Sequence, residues 1–400
     1  MNPFMCGIAR VLFISYLWLF SASAMSVQKD GDIAMKQSEY HIGQRLSQQL
    51  YFTSGDNILL SPTGIQALLC LLRNGANGQT RVEIEAFLGQ EDGCAESEGY
   101  SEQLTGDSAT QPMSEENGWI SSNGIFHRSS IVIKDSYRKW LSHQSNVMLG
   151  KLDTSKDIED ANQWVRNQSR SKIKSILDDN AKNAQLIVAN TNYFMGRWKK
   201  KFNEHQTRPF PFYGEKGQSS VPMMRIQSQF RFVESPDHQA IALDYEDETY
   251  TSIVILPGRQ TGLTDTLKHI PSIMADLLIS SEPRQGVFQL PRFAIESESP
   301  LKSILQQQGI NRLFQFGGAE LGNMIDNEAA VFVDEIQHKS VIDVNEIGTE
   351  AASLTTATLL GSLPEPPSQY EMLVDRPFVF MVVHIPTGSV RYLCIVRNLE

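Results

Sequence analysis

The chain has 400 residues, of which 41% are apolar and 20% are charged, a composition typical of a globular protein with a sizeable core. Its formal net charge of -11 argues against nucleic acid as a partner. A chain this long commonly divides into two domains, but no Pro/Gly/Ser-rich linker separates balanced halves, so we expect one large domain.

The first 24 residues are predicted to be a secretory signal peptide. Arg10 precedes the apolar run 11–20, and residues 22–24 read Ala-Ser-Ala, the small-x-small pattern of a cleavage site. The run is shorter than the roughly 20 apolar residues that a membrane span needs. We therefore expect a secreted, extracellular protein with mature residues 25–400 and no membrane association. The alternative is an uncleaved N-terminal anchor.

Residue patterns between the signal and residue 200 predict mainly helices. Ser61 is a favourable N-cap, and Pro62 suits the first turn of the helix that follows. Thr80 and Glu83 have the spacing of a capping box. In chain order, the patterns predict a helix over 33–52, a strand over 57–60, helices over 61–75, 80–89 and 157–177, and a strand over 185–195.

The second half of the chain is predicted to be richer in strands. Ser299 and Pro300 begin a helix that runs to about Gln308. Apolar runs with β-branched residues predict strands over 251–256, 286–291, 329–345, 377–385 and 390–397.

Three cysteines remain after the predicted signal, because Cys6 leaves with it. An odd and low count does not indicate a disulfide framework. Cys70 lies in an apolar helical run and Cys394 in an apolar strand, so both are predicted to be buried thiols. Cys94 lies in a polar, acidic stretch and could pair between chains.

Residues 167–169 form the single N-glycosylation sequon of the chain. Asn167 is therefore predicted to carry sugar if the side chain is exposed in a secreted protein.

Sequence motifs of the common enzyme classes are absent. The chain has no Gly-x-Ser-x-Gly, His-Glu-x-x-His, Cys-x-x-Cys or phosphate loop, and its eight histidines lack metal-ligand spacing. Residues 106–108 resemble the nucleophile turn of trypsin-like proteases, but the glycines that should follow Ser108 are missing. We expect no enzymatic activity, no cofactor and no metal site.

The most informative segment is 346–363, near the C-terminus. Residues 351–360 contain no charge, Pro or Gly and include three β-branched threonines, which favour a strand. Yet Gly348 precedes this run, and Gly361 and three prolines follow it, which is typical of a loop. The pattern indicates a chain that can be loop in one state and strand in another. The alternative is an ordinary strand followed by a long turn.

Several motifs, taken in order, resemble those of the serpin family, and the resemblance spans roughly 35–398. The matching residues are 57–62 (Asn-Ile-Leu-Leu-Ser-Pro), 162–165 with 172–173, 190–202 (Asn-Thr-Asn-Tyr-Phe-Met-Gly-Arg-Trp-Lys-Lys-Lys-Phe), 290–293 with Leu301 and 309–310, 338–339, 346–352 (Glu-Ile-Gly-Thr-Glu-Ala-Ala) and 377–378.

This resemblance implies a single α+β domain with three β-sheets, eight or nine helices and an exposed reactive-centre loop at about 346–376. In inhibitory serpins a serine protease attacks the loop as a substrate and forms an acyl-enzyme. The cut loop then inserts into the main sheet as a new strand and distorts the trapped protease.

The resemblance also implies roles for particular residues. Arg292 would pair with the hinge carboxylate and hold the top of the sheet. Ser61, Asn190 and His338 would form a buried polar cluster under the opening strands, although Gly64 replaces a usual serine and would loosen it. Trp198 would pack where the loop first inserts; simple core packing explains it equally well. The hinge would comprise Glu346, Gly348, Thr349, Glu350, Ala351, Ala352 and Ser353.

Counting from Glu346 as the seventeenth residue before the cut places the reactive bond at Ser362–Leu363. Leu360–Gly361 and Leu363–Pro364 are alternatives. Because residues 347–375 contain no Lys or Arg, the expected partner is a chymotrypsin-like or elastase-like serine protease.

A second group of expectations concerns other partners and the alternative function. Residues 91–116 carry eight acidic side chains where heparin-binding serpins are basic, so heparin binding is not expected. The protein is expected to be a monomer. A non-inhibitory serpin acting as carrier, chaperone or protease substrate is the alternative, favoured by Leu354 in the hinge and by Ser362.

Overall fold

Two hydrogen-bonded β-sheets and seven α-helices make up the part of the chain that the structure describes. The structure is a computed structural model that describes residues 37–89, 94, 118–326, 331–349 and 368–400. The predicted signal peptide (1–24), the hinge residues Glu350, Ala351, Ala352 and Ser353, and the predicted bond Ser362–Leu363 lie outside the described residues.

The helices confirm the mixed character expected from the sequence. Their described number is seven, against the eight or nine implied for the whole chain. In chain order they are α1 (Gln37–Thr53), α2 (Pro62–Gly75), α3 (Gly78–Leu88), α4 (Asp135–Leu141), α5 (Ser155–Gln168), α6 (Leu263–Ala275) and α7 (Lys302–Gln307).

The six-stranded sheet contains the strands that carry the candidate site. Two central members run parallel to each other over seven residue pairs, and the shortest member lies between their ends. In spatial order the strands are β10 (Phe293–Pro300), β11 (Glu335–Val344), β12 (Gly348–Thr349), β4 (Leu186–Arg197), β2 (Gly118–His127) and β3 (Val147–Lys151).

The second sheet has nine strands. In spatial order it contains β1 (Ile58–Leu60), β15 (Ser389–Val396), β14 (Phe378–His384), β8 (Tyr250–Pro257), β7 (His238–Asp244), β6 (Gly217–Glu234), β9 (Pro283–Pro291) and β13 (Tyr370–Leu373), with β5 (Arg208–Gly214) paired to β6.

Strand β6 explains why two sheets are found where three were expected. Its residues 217–231 pair with β5 and β9, whereas residues 232–234 pair with β7. One 18-residue strand therefore joins two sheet segments into a single hydrogen-bonded path.

The two faces of the six-stranded sheet are buried against different helices. Leu186 and Val188 join the cluster that contains the apolar face of α2, whereas Ile187 and Ala189 join the cluster that contains α5. This split follows the two-residue period of a strand covered on both sides. Full burial of each such aliphatic side chain contributes about 1.5–3 kcal/mol.

Three predicted helix boundaries were wrong. Ser299 and Pro300, predicted to begin a helix, end strand β10, and α7 begins at Lys302. Long-range contacts or turn geometry decide the other two. The N-terminus of α3 is capped by the Glu320 carboxylate, which accepts the backbone N–H groups of Gln79 (2.6 Å) and Thr80 (3.2 Å). No capping box forms there. The helix predicted over 157–177 ends at Gln168, after which Arg170 and Ser171 have positive φ values of 50° and 65°.

The cysteine prediction was also wrong. Cys70 and Cys94 form an intrachain disulfide, with Cα atoms 5.5 Å apart, so Cys70 is not a free thiol. The sequence separation of 24 residues gave no sign that Cys94 lies against Cys70 of α2. Cys394 is a buried free thiol as predicted, and burial raises its pKa.

None of the described helices is long and apolar enough to cross a membrane.

Replacing Cys94 should destabilise the protein, because the unfolded chain is then no longer constrained by the loop that the disulfide closes. We expect Cys94→Ser to lower the free energy of unfolding by about 3 kcal/mol, from the loop-closure entropy of roughly 25 residues. The measurement is the urea midpoint with and without reductant. Reductant should lower the wild-type midpoint and leave that of the variant unchanged. A Cys394→Ala control should stay reductant-sensitive, and equal midpoints for reduced and oxidised wild type would contradict the assignment.

Candidate functional site

The hinge predicted from the sequence already lies partly within the six-stranded sheet. Strands β4 and β11 pair directly from Ile187 opposite Glu335 to Tyr193 opposite Val341. Beyond that point β12 lies between them, with Thr349 opposite Gly196 on β4 and opposite Val344 on β11. The first two residues expected to insert therefore occupy sheet positions in the uncut chain.

Gly348 permits this arrangement because no side chain would fit there. A Cβ at this position would overlap the carbonyl oxygen of Gly196 and lie 2.8 Å from the Cα of Arg197. Both are backbone atoms, which cannot move aside as a flexible side chain can. The glycine thus allows the hinge to lie against the end of β4.

Thr349 is fully buried and held by a hydroxyl contact. Its Oγ1 lies 2.6 Å from the hydroxyl of Tyr245, which also hydrogen-bonds Ser252 on β8. Burial raises the pKa of Tyr245, so the phenol stays neutral and can donate to one of these hydroxyls and accept from the other. The first inserted side chain is therefore tied to the second sheet.

Trp198 lies directly beside the hinge, as the family resemblance implied. Its indole N–H donates to the carbonyl of Asn345 (2.9 Å), and its backbone N–H donates to the carbonyl of Ile347 (2.9 Å). The indole also stacks on Tyr245, with ring centroids 4.6 Å apart and an interplanar angle of 17°. One aromatic pair thus contacts both the turn before β12 and the residue inserted within it.

Glu346 anchors the turn that leads into the hinge. Its buried carboxylate accepts the hydroxyl of Thr207 (2.7 Å) and lies 3.7 Å from the half-exposed guanidinium of Arg292. The pairing with Arg292 expected from the resemblance is present, but one exposed partner limits it to about 0–1 kcal/mol. Thr207 was not predicted, because nothing in its local sequence marks it as a partner of Glu346.

A buried polar network connects β4 and β11 where they pair directly. His338 lies opposite Asn190 across the two strands. Its Nε2 accepts the backbone N–H of Ser61 (3.0 Å), so its proton is on Nδ1, which donates to Asn190 Oδ1 (2.9 Å). The three residues that the resemblance grouped are therefore in contact, and they join α2 to both strands.

The network extends to residues that the sequence did not reveal. The amide of Asn190 donates to Asn123 Oδ1 (2.9 Å) and to Ser121 Oγ (3.0 Å) on β2. Asn192 donates to Asn190 Oδ1 (2.6 Å), and the hydroxyl of Ser340 lies 3.2 Å from the Nε2 of His338. Alternate positions on β2, β4 and β11 could have indicated these residues, because alternate residues of a strand share one face.

Gly64 fits this network differently from what was expected. A Cβ there would lie 2.5 Å from Asn192 Oδ1 and 2.7 Å from Asn190 Oδ1. The amide of Asn192 thus occupies space that a serine at position 64 would need. The cluster is filled from β4 instead of being left loose.

The predicted glycosylation residue lies apart from this region. Asn167 is exposed in the last turn of α5, where its side-chain oxygen accepts from Gln163 (2.9 Å). The exposure satisfies the condition set by the sequon, and glycosylation itself stays a prediction.

Comparisons with known proteins agree with one another. Residues 37–399 match the family profile described as Serpin (serine protease inhibitor). The chain is 25% identical to human neuroserpin over 97% of each chain, and 26% identical to Iripin-8 of Ixodes ricinus over 94% of this chain and 98% of that protein. Its fold is similar to that of native protease nexin-1 crystallised with heparin, with a TM-score of 0.77 and 24% identity, over 90% of this chain and 98% of the other.

His338 should make stability depend on pH. Burial lowers its pKa from 6.5 to about 3, so between these values the unfolded chain binds one more proton than the folded chain. The stabilisation from neutral His338 is complete above pH 6.5 and is lost as the pH falls towards 3, by up to about 1.4 kcal/mol per pH unit. The measurement is the urea midpoint as a function of pH between 3 and 6.5, for wild type and for a His338→Gln variant. If the midpoint changed equally with pH in the two proteins, this would contradict the prediction.

Gly64 and Asn192 should show coupled effects. We expect Gly64→Ser to destabilise the protein by about 1–3 kcal/mol, because the added atoms overlap the amide of Asn192. Asn192→Ala removes that amide but leaves Asn190 Oδ1 2.7 Å from the added Cβ, so the double variant should recover part of the loss that Gly64→Ser causes. Thermal or urea unfolding of wild type, the two single variants and the double variant gives the coupling free energy between the two positions. Additive losses would show that the two residues do not share this space.

Proposed function

The chain belongs to the serpin family, and from this we propose that it is a secreted serine protease inhibitor that traps its target by inserting its reactive loop. Serpins are in general inhibitors of proteases and not enzymes themselves. The observation that carries the proposal is the position of Gly348 and Thr349 between the ends of β4 and β11.

The proposed chemistry begins at the bond Ser362–Leu363. The serine oxygen of the protease bonds to the carbonyl carbon of Ser362, the peptide C–N bond breaks, and the amino group of Leu363 leaves with a proton. Residue 362 is then an ester on the protease. The freed end can follow Thr349 into the sheet if β4 and β11 separate below it.

The energy for this step would come from new strand pairing. About a dozen newly paired residues, each worth roughly 0.5–1.5 kcal/mol per net hydrogen bond, give on the order of 10 kcal/mol. That is comparable with the roughly 5–15 kcal/mol that holds a typical domain together. Distortion of a bound protease is therefore energetically feasible.

The expected target follows from the residues around the bond. With no Lys or Arg between 347 and 375, nothing suits the buried carboxylate of a trypsin-like specificity pocket. An elastase-like enzyme with a small pocket suits Ser362, and a chymotrypsin-like enzyme suits Leu360 or Leu363. Heparin is not expected to be needed, although the similar protease nexin-1 was crystallised with it.

Secretion is supported by a feature that the sequence analysis missed. Disulfides persist in oxidising compartments, and Cys70–Cys94 is a covalent pair within the chain. Together with the predicted signal at 1–24 and the exposed sequon at Asn167, it favours an extracellular protein.

The alternative is a non-inhibitory serpin acting as carrier, chaperone or protease substrate. Leu354 and Ser362 favour it, because the family usually has other residues at both places. Heat stability before and after loop cleavage separates the two possibilities. A large gain in melting temperature indicates insertion, and equal melting temperatures support the alternative.

Thr349→Arg should separate loop cleavage from trapping. A long charged side chain cannot occupy the buried position between β4 and β11, so insertion should stop while the loop remains a substrate. Incubation with chymotrypsin and elastase should give wild type a denaturant-resistant adduct of summed mass and give the variant only cleavage. Thr349→Ser, which keeps the hydroxyl, is the matched control and should still trap. Trapping by Thr349→Arg would refute the hinge assignment.

A further inference from the structure

The ring of Tyr245 is held beside the hinge by its packing. It stacks on Trp198, with ring centroids 4.6 Å apart, and meets the edge of Phe194 at a centroid distance of 5.1 Å. A Cβ on Gly196 would lie 2.6 Å from the same ring, so the absence of a side chain there leaves the space that the ring occupies. Packing therefore fixes the ring independently of the hydrogen bonds that its hydroxyl group makes.

Three buried hydroxyl groups form a row from the second sheet to the hinge. The phenol of Tyr245 hydrogen-bonds Ser252 on β8, and it also lies 2.6 Å from the Oγ1 of Thr349 on β12. All three residues are fully buried. The hydroxyl of Thr349 has no other hydrogen-bond partner among the residues that the structure describes. This contact is therefore the side-chain hydrogen bond that holds the inserted residue.

The backbone gives the inserted hinge little support of its own. Strand β12 has only two residues, and Thr349 alone pairs with both β4 and β11. The turn before it is closed by Asn345, whose Oδ1 accepts the N–H groups of Ile347 (3.0 Å) and Gly348 (3.3 Å). Such a short strand opens easily, because few hydrogen bonds must break. One side-chain contact can therefore set the fraction of molecules in which the hinge lies in the sheet.

We propose that Tyr245 is a positioning residue: its hydroxyl keeps Thr349 inserted in the uncut chain and thereby sets how often a protease is trapped instead of released. Only the second part rests on the proposed inhibitor function. Cleavage leaves residue 362 as an ester of the protease. Water can attack the ester carbonyl carbon, so that the C–O bond to the serine oxygen breaks and that oxygen takes a proton. Insertion must outpace this hydrolysis, and it starts in register when Thr349 already lies in the sheet.

Loss of the phenol hydroxyl should act on the hinge through an unpaired partner. In Tyr245→Phe the ring still fits, but the hydroxyl of Thr349 is buried without a partner for as long as the hinge stays in the sheet. Outside the sheet water solvates that hydroxyl, so the equilibrium shifts towards the open hinge. Adding Thr349→Val removes the unpaired hydroxyl and keeps the shape, so the hinge should return. Ser252 stays on β8 in both positions of the hinge and does not contribute to the shift.

Hydrogen exchange of the full-length protein, followed by mass spectrometry of the peptide that contains Gly348 and Thr349, tests the positioning without any protease. Tyr245→Phe should raise the exchange rate of this peptide at least about fivefold. The double variant Tyr245→Phe/Thr349→Val should recover most of the wild-type protection. Tyr137→Phe is the matched control, because it removes a buried hydroxyl on α4 that donates to the carbonyl of Leu71 on α2 (2.8 Å). Its effect on the hinge peptide should stay below about twofold.

Incubation with chymotrypsin and elastase tests the consequence for trapping. Tyr245→Phe should consume at least about three times more inhibitor per trapped protease, because hydrolysis of the ester then wins more often. The rate of loop cleavage should not change, since the residues around the bond are the same. Tyr137→Phe should leave both quantities at their wild-type values.

Three results would overturn the positioning role: unchanged hinge exchange in Tyr245→Phe, an equal increase in Tyr137→Phe, or no recovery in the double variant. Raised exchange with an unchanged consumption of inhibitor would overturn the link to trapping. Melting curves report folding, and if Tyr245→Phe does not fold, Tyr245→Phe/Ser252→Ala replaces it, because no unpaired hydroxyl then remains on β8. If wild type traps no protease but the exchange results hold, only the inhibitor function is refuted.

Discussion

The direct pairing of β4 with β11 is the constraint on which the rest of the molecule depends. Seven residue pairs close the six-stranded sheet along this seam, from Glu335 opposite Ile187 to Val341 opposite Tyr193. The sheet is covered on both faces, and a further strand can be inserted between β4 and β11 only where these two separate. Beyond the seam Gly348 and Thr349, the first residues of the predicted hinge to lie in the sheet, separate the two strands.

Polar contacts hold the middle of this seam and the hinge residue above it, which matters for how the seam opens. His338 and Asn190 join the strands in the middle, and Tyr245 holds Thr349 at the top. A buried polar group without a partner is costly, so opening requires each of these groups to find a new partner as it loses the old one. Such a network resists partial opening, whereas apolar contacts between the same strands could slide. The cut loop would supply backbone partners that the uncut chain cannot.

Several features could be predicted from local sequence because their causes are local. Ser61 caps α2 and accepts the N–H of Gly64, as its position before Pro62 indicates. The family motifs implied positions for Trp198 and His338 near the opening strands, and in the structure these residues contact Asn345 and Asn190. Other features depend on residues far apart in the chain. Glu320 caps α3 from 240 residues away, and Thr207 binds Glu346 across 139 residues. No periodicity or capping rule reports such contacts.

The sequence alone determined the α+β class, the family resemblance and the absence of basic residues around the expected bond, and it predicted the strand-capable loop segment, because each depends on residue types at short spacing. Only the tertiary structure decided that Thr349 already lies in the sheet, that Asn192 fills the space beside Gly64, that Cys70 bonds Cys94, and that Tyr245 contacts Thr349. These depend on which surfaces meet after the chain has folded, and chain-order patterns do not encode the distance between residues brought together by packing.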